Sequence, residues 1–225
     1  MEKTNIDSTE ARRRINELDG PFHLGHAYAR VERGTYMPDG KPETDGEHAI
    51  SLAIIATAYA MKYYPELDPY KVFFYCVMHD VDEFLHGDTS TIGAIKETFR
   101  IKDAEEAEAA IERGKILSPF DEFNTLINQL RDLNIPENAY GKAFDKIAPG
   151  YTHAANRGSV LIEKYNIHNL DDILAATIET DEKMYIYAKS FVDLLAMRQE
   201  MHVINSEHIT NREVWVDMPL FGMDR

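Results

Sequence analysis

The sequence predicts an all-α protein, a helical bundle in one domain, and three observations carry that expectation. Apolar residues recur at spacings of three and four through most of the 225 residues. Prolines, glycines and polar caps punctuate those segments at helix-like intervals. The only extended-looking runs, Val72–Tyr75 and Val214–Val216, are too short to argue for a sheet.

The elements follow in order. Ser8 to Leu18 opens on a polar cap with Glu10 in its first turn. Residues 20–45 are rich in Gly, Pro, Asp and Thr and read as a long structured loop. From Gly46 to Tyr64, the apolar residues Ile50, Ile54, Ala58 and Met61 define a helix face, and Pro65 stops it. Asp68-Pro69 restarts a helix, with Asp as cap and Pro in the first turn. That helix runs through Val72, Cys76 and Val77 to Leu85 and ends at Gly87. Residues 100–116 are charged and alanine-rich, a solvated helix with pairs such as Glu112–Lys115, or a flap beside a site. Ser118-Pro119 caps a helix whose core face is Leu126, Ile127, Leu130 and Leu133. Pro136 opens another, carrying Ala143, Phe144 and Ile147 and ending at Pro149-Gly150. Residues 170–203 form a long periodic stretch with a break near Thr180-Asp181, and the tail after His208 packs as an arm. One domain spans 1–225, with a motif core over 30–150, C-terminal helices over 155–203 and a tail over 204–225.

Composition narrows the functions. With 44% hydrophobic and 10% aromatic residues, the chain can bury one sizeable core. It has 24 basic and 39 acidic residues and a net charge of −15. Such a chain is a poor partner for polymeric nucleic acid, which is bound through basic surface. A small anion is compatible, because a metal and a few local cations reverse the field inside a pocket. Cys76, the one cysteine, sits in an apolar run and reads as a buried hydrophobe in a reducing, cytoplasmic setting. The N-terminus MEKTNIDSTEARRR has no apolar core and does not read as a signal peptide. No stretch of 18 apolar residues exists to span a membrane.

The chemistry concentrates in His48, the pair His79-Asp80, and Asp145. Two imidazoles and two carboxylates are the donor set of a divalent transition metal with positions left open to water, which points to a metal-dependent hydrolase. The set is of mixed hardness and suits Mn²⁺, Co²⁺, Fe²⁺, Ni²⁺ or Zn²⁺ better than Ca²⁺. On a continuous helix, His79 and Asp80 stand about 100° apart and converge on one edge. His79 and Glu83, at i and i+4, share a face, so Glu83 suits holding or deprotonating the attacking water. Asp88 follows the helix-ending Gly87 and completes the water side or meets a sugar. Taken singly, each has a plainer meaning: His48 a hydrogen-bonded core histidine, His79-Asp80 a helix-surface pair, Asp145 a solvated charge beside Lys146.

Taken together, these residues resemble the HD-domain superfamily of metal-dependent phosphohydrolases, whose pattern is His, then His-Asp, then a later Asp. They are closer still to the small 5′-deoxynucleotidases and the phage relatives that hydrolyse deoxynucleoside triphosphates. There the second motif extends to His-Asp-x-x-Glu-x-x-x-Gly-Asp, which residues 79–88 match at each fixed position. That pattern also places an arginine about fifteen residues before the first His, where Arg33 stands. The resemblance implies metal ligation by His48, His79, Asp80 and Asp145, and self-association into a homo-oligomer. It implies deoxynucleotides as substrates.

Arg33 is the first candidate for the phosphate, since guanidinium engages phosphate in a bidentate way. Lys96 is the second, and Thr89, Ser90 and Thr91 offer hydroxyls; an ordinary surface lysine is the plainer reading of Lys96. Tyr36 and Tyr151 are candidates for stacking on a base. His86 and His153 read as non-ligands. Few basic residues flank the motifs, which favours a dNMP 5′-nucleotidase over a triphosphohydrolase (the alternative). A non-catalytic metal and nucleotide-binding module is a further reading, against which an intact Glu83 and Asp88 argue. A cyclic-nucleotide or alarmone phosphodiesterase would need a second set of histidines, and none is recognisable.

Overall fold

A computed structural model describes residues 6–211 of the chain. The architecture is all-α, with one two-stranded hairpin among the described residues. The helices are α1 (Ser8–Glu17), α2 (Asp19–Ala29), α3 (Asp45–Tyr63), α4 (Pro69–Met78), α5 (Lys96–Ile116) and α6 (Asp121–Asn128). They continue as α7 (Pro136–Asp145), α8 (Ala148–Ala155), α9 (Ser159–Tyr165), α10 (Leu170–Tyr187) and α11 (Val192–Thr210). Between α2 and α3, β1 (Glu32–Tyr36) and β2 (Pro42–Thr44) pair antiparallel. The expected loop over 20–45 is thus a helix followed by a hairpin. Its turn closes through Met37 N–H to the Lys41 carbonyl at 2.8 Å, with Gly40 at φ +82°.

The starts of the central helices are set locally. Thr44 and Glu47 form a capping box on α3, each side chain taking the other's backbone N–H. Asp68 caps α4 through the Tyr70 and Lys71 amides, with Pro69 in the first turn. α3 packs on α4, and α4 on α7. Ala53, Ala56 and Ala60 of α3 meet Val72 and Cys76 of α4, Tyr140 and Phe144 of α7, and Met184 and Leu194 from the last two helices. A smaller cluster joins Leu24 and Tyr28 of α2 to Tyr75, Leu117, Ile127 and Leu130.

Several expectations are corrected. The face Ile50, Ile54, Ala58 and Met61 is exposed, and α3 buries Ala49, Leu52, Ala53, Ala56 and Ala60 instead. Small alanines allow α4 to come close, which the bulkier stripe would prevent. α4 stops at Met78, and Val81–Phe84 forms a 3₁₀ turn, so the expected helix to Leu85 is broken at the His79-Asp80 pair. Leu126 and Leu133 are exposed, leaving Ile127 and Leu130 as the buried positions after Ser118-Pro119. α7 ends at Asp145, and Pro149-Gly150 lies in the first turn of α8. The break in the last helical stretch comes at 188–191, with Thr180-Asp181 inside α10. α11 runs on to Thr210, and the rest of the expected arm lies outside the described residues.

Candidate metal centre and its cavity

Three elements meet where the sequence motifs predicted. His48 is on the first turns of α3, Asp145 is the last residue of α7, and His79 caps the C-terminus of α4. His48 and Asp145 are buried, and His79 and Asp80 are half-buried. His48, His79 and Asp145 each present a ligand atom within 4.8 Å of the others. Asp80 joins them through Oδ2, 2.8 Å from His79 Nε2. Asp145 Oδ1 stands 3.0 Å from His48 Nε2 and 3.2 Å from His79 Nε2.

The local chemistry fits a cation. His79 Nδ1 lies 2.8 Å from the Cys76 carbonyl, an acceptor, so Nδ1 carries the hydrogen. Nε2, the other ring nitrogen, is buried and faces two carboxylate oxygens, so it holds either a proton or a cation there. Lone pairs packed against carboxylates repel unless a positive charge lies among them. The same backbone bond orients the ring as metal-ligating imidazoles are usually oriented. Burial opposes charge on the ring, yet Asp80 and Asp145 outweigh it and raise His79 to about 10. A metal held at Nε2 would take the place of that proton. Burial also works against both carboxylates. His79 and Lys102 beside Asp80, and Lys146 and His79 beside Asp145, nevertheless hold them well below the usual range.

A second acidic group adjoins the first. Asp45, Asp80 and Glu83 bring carboxylate oxygens within 4.8 Å of one another. Arg33 on β1 spans this group, its Nη1 2.9 Å from Asp45 and 3.1 Å from Asp80. Glu83 accepts from Lys102, which reaches in from α5. The 3₁₀ turn moves Glu83 from one helical turn beyond His79 to a position beside Asp80. Burial, then the Asp80 charge, push its carboxyl up to about 9, with Lys102 opposing. Burial likewise raises Asp45 to about 6 against the pull of Arg33.

A cavity of about 110 Å³ opens onto the ligands from the other side. Arg33, Asp80, Asp88, Thr91 and Asp145 line it, so five of the nine predicted site residues face one space. Asp88 accepts from the Gly34 amide at 3.1 Å and so holds the hairpin against the motif loop. Thr91 gives its carbonyl to Thr180 at 3.3 Å. Lys96 is not brought in: it is exposed at the start of α5, and Lys102 on the same helix lines the cavity in its place. Tyr36 and Tyr151 also lie off the lining, where Tyr165 stands instead. His86 is exposed and faces Glu108, whereas His153 is buried and lines the cavity.

Sequence reasoning missed Asp45, Lys102 and Arg198. Asp45 had a signal, since it precedes His48 by three and shares its helix face. Lys102 and Arg198 had none, being charged residues on helices without a clear polar and apolar side.

Fold and site together define an all-α protein in which two His and two Asp side chains that could hold a metal converge at the junction of three helices. A family model described as the HD domain matches residues 29–182, and the chain belongs to that family. No curated protein sequence matches it. Among solved structures, a predicted metal-dependent phosphohydrolase from Magnetospirillum magnetotacticum MS-1 shares the fold. Its TM-score is 0.57 at 20% identity, over 86% of this chain and 97% of that one.

Proposed function

We propose that this chain is a metal-dependent phosphohydrolase of deoxynucleotides, acting as a 5′-deoxynucleotidase that releases phosphate from dNMP. The observation that carries the hydrolase reading is the convergence of His48, His79, Asp80 and Asp145, with His79 Nε2 buried between the two carboxylates. His48, His79, Asp80 and Asp145 would hold one divalent ion. Such an ion polarises a phosphoryl oxygen and acidifies water.

The chain's own groups do the rest. Glu83, ionised once a cation beside Asp80 offsets the charge that helps keep it protonated, would take a proton from the attacking water as that water's oxygen bonds to phosphorus. The bond from phosphorus to the 5′ oxygen breaks, that oxygen takes a proton from solvent and leaves as the nucleoside alcohol, and Glu83 returns its own proton to solvent. Arg33 and Lys102 offset charge on the equatorial oxygens.

Monophosphates are favoured over triphosphates by the pairing of the cavity's cations. Arg33 faces Asp45 and Asp80, Lys102 faces Glu83, Lys146 faces Asp145, and Arg198 faces Asp181. Each is answered by a carboxylate, which leaves little surplus positive charge for a triphosphate. The deoxynucleoside part rests on the extended motif over 79–88 and on Arg33. Incubating the Mn²⁺- or Co²⁺-loaded protein with dAMP and with dATP decides it by the phosphorus product. Free phosphate from dAMP is expected; triphosphate from dATP points to the alternative reaction, and neither product points to a binding module.

A further inference from the structure

The cavity runs past the metal ligands to an inner end that the reaction above does not use. It is walled by Leu161, Ile167 and Ile173 and floored by α8 and α11. Gly150 and His153, at i and i+3, share a face of α8, and Met201 and Asn205, at i and i+4, share one of α11. The two helices nearly touch there. A Cβ on Gly150 would come within 2.2 Å of Met201 Cγ and 3.3 Å of Asn205 Nδ2.

Charge at this end is balanced. Asp181 accepts from Arg198 at 2.9 Å and Thr177 at 2.9 Å, and lies 3.1 Å from His202 Nε2. Two neutral groups remain. Asn205 is 4% exposed and donates its amide N–H to the Met201 carbonyl, leaving Oδ1 without a partner. His153 is 5% exposed, and its Nδ1 also has none. Burial, then the neighbouring Arg198, lower its pKa to about 4, so the ring is neutral. Buried polar atoms left unmatched are rare and destabilising, and two in one cavity mark a place where a ligand supplies the missing bonds. The cavity as a whole exceeds what a single water needs by several-fold.

We propose that this inner end is the nucleobase subsite, with Asn205 Oδ1 accepting from a ring or exocyclic N–H and His153 bonding the adjacent ring edge. Apolar walls flanking a few fixed polar groups suit an uncharged heterocycle and not a phosphate chain. The inference deepens the phosphohydrolase reading and rests on it.

The test compares dAMP with 2-deoxyribose 5-phosphate, which keeps the phosphoester and lacks the base. Wild-type KM is expected to be about tenfold or more lower for dAMP, the scale of buried groups left unpaired. Asn205→Leu and His153→Phe should each raise KM for dAMP towards that of the baseless ester. kcat for the baseless ester and metal content by elemental analysis should stay unchanged. Equal wild-type KM values overturn the subsite even if neither variant folds. Failure to hydrolyse either ester overturns the phosphohydrolase reading instead.

Discussion

At the scale of single residues, the site turns on which side chains hold a proton and which hold a cation. Glu83 is buried, accepts from Lys102 and stands beside Asp80 without belonging to the His48, His79 and Asp145 group. Glu83→Gln keeps its volume and an acceptor for Lys102 but removes the base. Turnover should fall by about 10² or more, the usual scale for a positioned acid–base group. Metal content should not change; elemental analysis and steady-state rates on the same preparation check both. A wild-type rate would assign proton transfer elsewhere. The grouping of His48, His79, Asp80 and Asp145 was legible because such residue types are rare on buried helix faces and five fixed positions of the extended motif fall within ten residues. Arg33 was expected from the sequence only as a candidate for phosphate. Its contacts with Asp45 and Asp80 arise from the hairpin, which folds back on α3 over a distance no local spacing encodes. Lys102 was hidden for a different reason. α5 is polar almost all round, so periodicity does not mark the side facing Glu83.

At the scale of elements, α5 is more than a solvated helix. The exposed pair Glu112–Lys115 is there as expected, but the next residue along buries its charge. Arg113 is 1% exposed and donates to Asp82 on the 3₁₀ turn and to Asn124 and Asn128 of α6. It ties the turn carrying Glu83 to the helix carrying Lys102. Arg113→Met leaves Asp82 with the longer contact to Arg131, 3.7 Å away. Removing one partner of such a buried pair should destabilise by about 3–5 kcal/mol, read from urea melts. A loss under about 1 kcal/mol, the range of exposed pairs, would show that apolar contacts of Phe99 and Ala109 hold α5 unaided. Helix starts were legible throughout α3, α4 and α7, because caps and prolines act locally. Faces and ends were not. α3 buries its alanines because α4 comes close, and α4 stops where the His79 ring takes a carbonyl in its last turn. The first outcome depends on a neighbour absent from the local sequence, and the second on a side-chain bond three residues back that apolar spacing does not reveal.

At the scale of the whole molecule, the fold class was legible and the hairpin was not, since five- and three-residue strands fall below what alternation resolves. The net charge of −15 likewise gave the right outline and hid the interior, where carboxylates are matched by buried cations. Among the described residues, no helix is long and apolar enough to cross a membrane. Stability against acid depends in part on a buried histidine outside the four candidate metal ligands. His153 is buried and its folded pKa lies near 4, below its ordinary 6.5. Above pH 6.5 it is neutral folded or unfolded and contributes no pH dependence. Below that value the unfolded chain binds a proton that the folded chain refuses, so stability falls with pH until about 4 and then levels. A lowering of this size amounts to about 3 kcal/mol across the window. His153→Gln removes the group. Its stability relative to wild type, from urea melts at matched metal loading, should improve by about that amount between pH 7 and pH 4. A difference that stays constant with pH would mean that the imidazole is hydrated in the folded chain, and that the space beneath α8 is wetter than its apolar walls suggest.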